Sequence, residues 1–162
     1  MAINLSKGDN VSFSRSLTNV CVGLGWDPNE GAVHEYDLDA SAFMLGHNGH
    51  LITDEFFVFY NNQLSPDGAV QSTGDDQTGR NSEEGDDETL MVDLAKVDPR
   101  VQEILFTATI YKAEERRQNF GQVSNAYIRI YNSTNEEEIA RYDLNEDFSV
   151  ETAVEFGRLY RS

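Results

Sequence analysis

The chain has 162 residues, the size of one ordinary domain, and its 29 acidic and 12 basic side chains give a formal net charge of −17. That balance argues against nucleic acid and against an anionic membrane surface, both of which are bound through Lys and Arg, and it favours a cation as partner. Nine Phe, seven Tyr and one Trp supply large buried area, so the charge does not signal a disordered chain.

In chain order the dominant period is two. MAINLSKGDN lacks a basic region followed by an apolar one, so no signal peptide is expected. Residues 19–26 place Val20, Val22, Leu24 and Trp26 on one strand face. The single cysteine, Cys21, excludes an intramolecular disulfide and reads as a small buried thiol. LDASAFML (38–45) is small or apolar on both faces and reads as a strand buried on both sides. FFVFY (56–60), ETLMVDL (88–94), EILFTATIYK (103–112), NAYIRIYN (125–132), EEIARYDL (137–144) and AVEFGRLY (153–160) are further strands. Turn signals separate them at HNGH (47–50), SPDG (65–68) and NSTNEE (132–137). LAKVDPR (94–100) and AEERRQNF (113–120) have room for a short helical turn each. Many short strands so spaced predict an all-β fold, a two-sheet antiparallel β-sandwich with one or two short helices, in a single domain over 1–162. No apolar run reaches the length of a membrane span, and a reducing, cytoplasmic setting is expected.

One segment is biased. TGDDQTGRNSEEGDDE (73–88) holds seven acids, three glycines and Arg80. It is not an EF-hand: counted from Asp75, positions 3, 5 and 12 are Gln77, Gly79 and Asp86. Taken alone it reads as a solvated loop. Other acids shift that reading. Asp37 and Asp39 point to one strand face at the entrance of the most apolar strand, where two like charges cost free energy unless a cation or donors offset them. Asp27 follows another strand, and Asn61 and Asn62 close the aromatic one. Carboxylates, amides and carbonyls make a hard, all-oxygen set that suits calcium above magnesium or zinc. No G-x-S-x-G or H-E-x-x-H pattern is present. In EERRQNFGQ (114–122) the charges read as a solvated turn or a partner surface.

At LSKGDNVSF (5–13), VGLGWD (22–27), YDLDASAFML (36–45), FVFYNN (57–62), SPDGAV (65–70), TGDDQTG (73–79), GDDETLMVDL (85–94), RRQNFGQVSNAYIRI (116–130) and ARYDLNEDFSVETAVEFGRLYR (140–161) the chain resembles the TerD-domain family of tellurite-resistance and stress proteins. The resemblance implies a β-sandwich that binds two calcium ions through the acidic loop and the strand-edge aspartates. Carried onto this sequence, the implied ligands are Asp27, Asp37, Asp39, Asn61, Asp75, Asp76, Asp86, Asp87 and Glu88, with Thr78, Gly79 and Gly85 giving carbonyls or turn geometry. It further implies partner proteins of a bacterial stress-resistance system and no enzymatic activity. Two rival readings stay open: a metal-dependent hydrolase, and an acidic scaffold that binds no metal.

Overall fold

A computed structural model describes residues 3–4, 16–27, 36–73, 87–123, 125–144 and 152–161. Among the described residues, ten strands form two sheets, as the period-two pattern predicts. The six-stranded sheet contains β1 (Ile3–Asn4), β2 (Asn19–Gly25), β5 (Val70–Ser72), β6 (Glu88–Asp93), β8 (Tyr127–Asn132) and β9 (Glu138–Asp143) in the order β1-β9-β8-β2-β6-β5. The four-stranded sheet contains β3 (Leu38–Leu45), β4 (Phe57–Val58), β7 (Glu103–Ile110) and β10 (Ala153–Tyr160) in the order β10-β7-β3-β4. One pair departs from the expected antiparallel pattern: β1 runs parallel to β9. Two strands, β9 and β8, separate β1 from β2, so no hairpin constrains its direction.

Alternation builds the core. Val20, Val22 and Leu24 of β2, Leu90 and Val92 of β6, and Ile128 of β8 meet Leu38, Ala40, Ala42 and Met44 of β3 and Ile104, Phe106 and Ala108 of β7. Among the described residues, Phe106 and Phe120 are the largest side chains fully enclosed.

β2 is buried on both faces, although one face has no second sheet over it. Its off-core positions are Cys21, Gly23 and Gly25, and they stand opposite Tyr131, Arg129 and Tyr127 of β8. The Tyr127 ring lies across Gly25, so that a Cβ there would fall 2.5 Å from ring atoms. Arg141 stacks on Tyr127 at 4.0 Å and Arg129 on Tyr131 at 4.4 Å, a favourable use of the guanidinium plane. Long side chains of β8 and β9 thus roof a strand of small residues.

Two local expectations change, and two strands appear that the pattern did not predict. The aromatic strand at 56–60 shrinks to β4, because a 3₁₀ turn at Asp54–Phe56 precedes it and Phe59 and Asn62 close a tight turn by exchanging backbone hydrogen bonds. The helical run at 113–120 splits into α1 (Ala113–Arg116) and a 3₁₀ turn at Phe120–Gln122 capped by Asn119. Lys112 and Arg117, both left-handed, end α1 on either side. β1 and β5 have two and three residues, too short to show a period. No helix among the described residues is long and apolar enough to cross a membrane.

Candidate metal centre

β2 delivers the chain to the site through Trp26. Its ring is buried and its indole N–H donates to the Tyr36 carbonyl at 2.9 Å, which meets the need of a buried Trp for an acceptor. Its backbone N–H donates to Asp87 Oδ2 at 2.9 Å, and the Asp87 N–H donates to the Leu24 carbonyl at 2.9 Å. These bonds tie the end of β2 to the start of β6 and to Tyr36, the residue before Asp37. The Tyr111 N–H, donated to the Asp37 carbonyl at 2.7 Å, pins Asp37 against the end of β7.

That bond also sets which way the β3 backbone faces. Asp37 turns toward β7, so by alternation Ala40 turns its N–H the other way. β4 lies on that side but pairs only with Ala42 and Phe43, so the ladder ends short of Ala40. Glu88, the first residue of β6 in the opposite sheet, fills the gap: the Ala40 N–H donates to Glu88 Oε1 at 3.1 Å. A carboxylate from one sheet therefore accepts a backbone hydrogen bond from the other.

The consequence is a cluster. Asp37, Asp39 and Glu88 each bring a carboxylate oxygen to within 4.8 Å of the others. The three residues are 7%, 8% and 5% exposed. Oδ1 of Asp37 and Oδ1 of Asp39 are buried and accept no hydrogen bond, while both residues have other interactions. Like charges this close and this dry repel strongly unless protons, donors or a cation offset them. The donor set is all oxygen and anionic, the kind that a hard divalent cation takes.

The other expected ligands divide. Asp87 adjoins Glu88, but its carboxylate caps the Trp26 N–H. Asp27 is half-buried, and its Oδ2 accepts from the Asn125 amide at 2.7 Å. Neither belongs to the close cluster among the described residues. Asn61 is exposed in the turn after β4. Its neighbour Asn62 is structural, donating to the Glu55 and Phe57 carbonyls at 2.9 and 2.7 Å. Asp75, Asp76, Thr78, Gly79, Gly85 and Asp86 lie outside the described residues. Trp26, Tyr36 and the Ala40 amide escape a search for ligand types, since they only position the acids. The one signal was a lone Trp just ahead of Asp27.

Comparisons with known proteins agree with this architecture. The chain matches the TerD domain over residues 1–162. It is 52% identical to the tellurium resistance protein TerD of Serratia marcescens, over 99% of this chain and 84% of the relative. It is 47% identical to general stress protein 16U of Bacillus subtilis (strain 168), again over 99% and 84%. Among solved structures, a homologue of the telluride resistance protein TerD from Streptomyces coelicolor A3(2) superposes with a TM-score of 0.76 at 22% identity, covering 90% of this chain and 82% of that one. At that identity the match speaks for the fold.

Proposed function

The chain belongs to the TerD-domain family of tellurium-resistance and stress proteins, and we propose that it serves there as a calcium-binding β-sandwich interaction module. The observation that carries the reading is the cluster of Asp37, Asp39 and Glu88, three carboxylates within 4.8 Å drawn from two sheets. These three would hold the ion. Asp27, Asp87, Asn61 and the acids and carbonyls of the 73–88 segment are the proposed remainder of a set serving two ions. Bound calcium supplies positive charge that offsets carboxylate repulsion. The chain's own part is to present oxygens on two sheets and to keep water from them by burial. The proposed role is binding, in the cytoplasm and alongside other proteins of the resistance system, with no reaction assigned to it.

Calorimetric titration with calcium, with magnesium as control, tests this directly. A saturable heat for calcium at micromolar concentration is expected, with a melting temperature that falls when chelator is added, since a ligand bound to the folded state alone must stabilise it. No heat together with unchanged melting in chelator would leave the acidic-scaffold reading in its place.

A further inference from the structure

β3 ends in a tight reversal. Leu45 faces Leu51 across an antiparallel bridge, and the chain turns back over residues 46–50 between them. Two backbone bonds close the turn: Gly46 N–H donates to the His50 carbonyl at 2.9 Å, and Gly49 N–H donates to the Gly46 carbonyl at 3.0 Å. Residues 47–50 are exposed. Gly49 has φ +77°, a left-handed value that glycine takes at no steric cost. A Cβ built there would meet nothing within 4 Å, so the space beside the Gly49 backbone is empty.

The Asn48 side chain folds back onto this backbone. Its Oδ1 accepts the His50 N–H at 3.0 Å, the bond that an asparagine side chain makes to the backbone two residues on. The ring of atoms closed by that bond includes the Gly49 nitrogen, so it keeps Asn48 Cγ beside that nitrogen. It also polarises the Cγ carbonyl toward attack. Asn132 and Asn135 have the same arrangement, with Oδ1 accepting the Thr134 N–H and the Glu137 N–H, each at 2.9 Å. Ser133 and Glu136 follow them, however, and each carries a Cβ beside the nitrogen that would have to attack. Asn62 and Asn125 hold their amide nitrogens on oxygen acceptors. Asn48 is the one asparagine in the sequence followed by glycine. Asparagine is among the thermolabile residues, and a following glycine leaves the attacking nitrogen least shielded.

We infer that Asn48 is a self-modification site, where the chain converts its own asparagine to aspartate and isoaspartate through a cyclic imide. The Gly49 nitrogen attacks Asn48 Cγ. The N–Cγ bond forms, the Cγ–Nδ2 bond breaks, and ammonia leaves with the proton that the Gly49 amide gives up. Water then opens the imide. Cleavage between Cγ and the nitrogen yields aspartate, and cleavage between the main-chain carbonyl carbon and the nitrogen yields isoaspartate. Either product replaces an amide with a carboxylate, which takes the net charge from −17 to −18. Aspartate keeps an oxygen for the His50 N–H. Isoaspartate routes the main chain through the side-chain carbons, a methylene longer, so the two bonds that close the turn lose their register. The Gly49 N–H must leave the Gly46 carbonyl before its nitrogen reacts, which slows the folded chain by about tenfold at most, the worth of a single hydrogen bond. The turn and Asp39 lie at opposite ends of β3, about 20 Å apart along the strand, so the carboxylate cluster stays as it is.

Ageing the full chain in warm, mildly alkaline buffer, folded and in urea, tests the site. Peptide mass spectrometry and methyl labelling by an isoaspartyl methyltransferase locate the product. Conversion at Asn48 ahead of every other asparagine is expected, with a half-time in the folded chain within about tenfold of that in urea. Asn48→Gln should abolish the label at this turn, and Gly49→Ala should suppress it. Asn48→Asp should melt with the fresh parent, while aged parent melts lower as its isoaspartate content rises. A folded chain that stays unmodified while the unfolded chain converts overturns the inference. So does first conversion at Asn132 or Asn135.

Discussion

Replacing Glu88 with Gln should make the calcium-free protein more stable, although it alters a buried residue that bonds the opposite sheet. Two unit charges 4.8 Å apart repel by about 0.9 kcal/mol at the dielectric constant of water and about 3.5 kcal/mol at the effective value of 20 that suits protein sites. Glu88 takes part in two such pairs, with Asp37 and with Asp39, so the gross relief is about 2–7 kcal/mol. Two things reduce it. The Ala40 N–H keeps an acceptor in the Gln carbonyl, but an uncharged one, at a cost of about 1 kcal/mol. Salt screens some of the rest. The net expectation is a gain of about 1–3 kcal/mol, or roughly 3–10 °C in melting temperature for a domain of this size. Urea denaturation and calorimetry in chelator measure it. Saturating calcium should reverse the order, because the parent gains binding free energy that the variant has lost, about 4 kcal/mol at a thousandfold excess over Kd. A Glu88→Gln protein less stable than the parent in chelator would refute the reasoning. It would mean that the Glu88 charge is balanced within the protein itself and that the cluster is a finished structural network.

Asp37→Asn combined with Asp39→Asn should weaken calcium binding far more than Glu83→Gln combined with Glu84→Gln, as read by titration calorimetry; equal losses would point to a diffuse ionic atmosphere. Gly25→Ala should cost about 1–3 kcal/mol by driving the Tyr127 ring off β2 and away from Arg141. In a Tyr127→Leu background that cost should largely vanish, so additive losses by urea denaturation would discredit the steric account. Asp98 sits on Arg100 through paired hydrogen bonds that hold its carboxyl below the usual 3.8. Its folded form thus stays ionised where the unfolded form takes a proton, so its contribution is complete above pH 3.8 and fades as pH falls further toward the folded value. The melting difference between parent and Asp98→Asn should therefore narrow below pH 3.8, and a gap that widens there would contradict the assignment.

The fold was legible where alternation, or in β3 an unbroken small and apolar run, extended over six residues or more. β2, β3, β6, β7, β8 and β10 lie where the pattern put them, because a buried strand must repeat every second residue. β4 was overestimated because its aromatic run continues into a turn made by backbone bonds at Phe59 and Asn62, which composition does not reveal. The site was legible in kind and partly in place. Asp37 and Asp39 share a face by spacing alone, but the approach of Glu88 depends on how far one sheet overlaps the other, and no local pattern encodes that. The roles of Asp27 and Asp87 were equally hidden: each has an amide donor supplied by Asn125 or Trp26, and those encounters are set by loop paths.

The roof over β2 gives the single thiol an unplanned use. Cys21 is 4% exposed and stands between Met91 of β6 and Tyr131 of β8, so a thiol reagent reaches it only when those strands part. Its labelling rate under native conditions is then a clock for the opening of the six-stranded sheet, and slower labelling in calcium would time how firmly the two layers are riveted together. The same enclosure means that the folded chain cannot meet a thiol-seeking oxyanion with its own sulfur until it has begun to come apart.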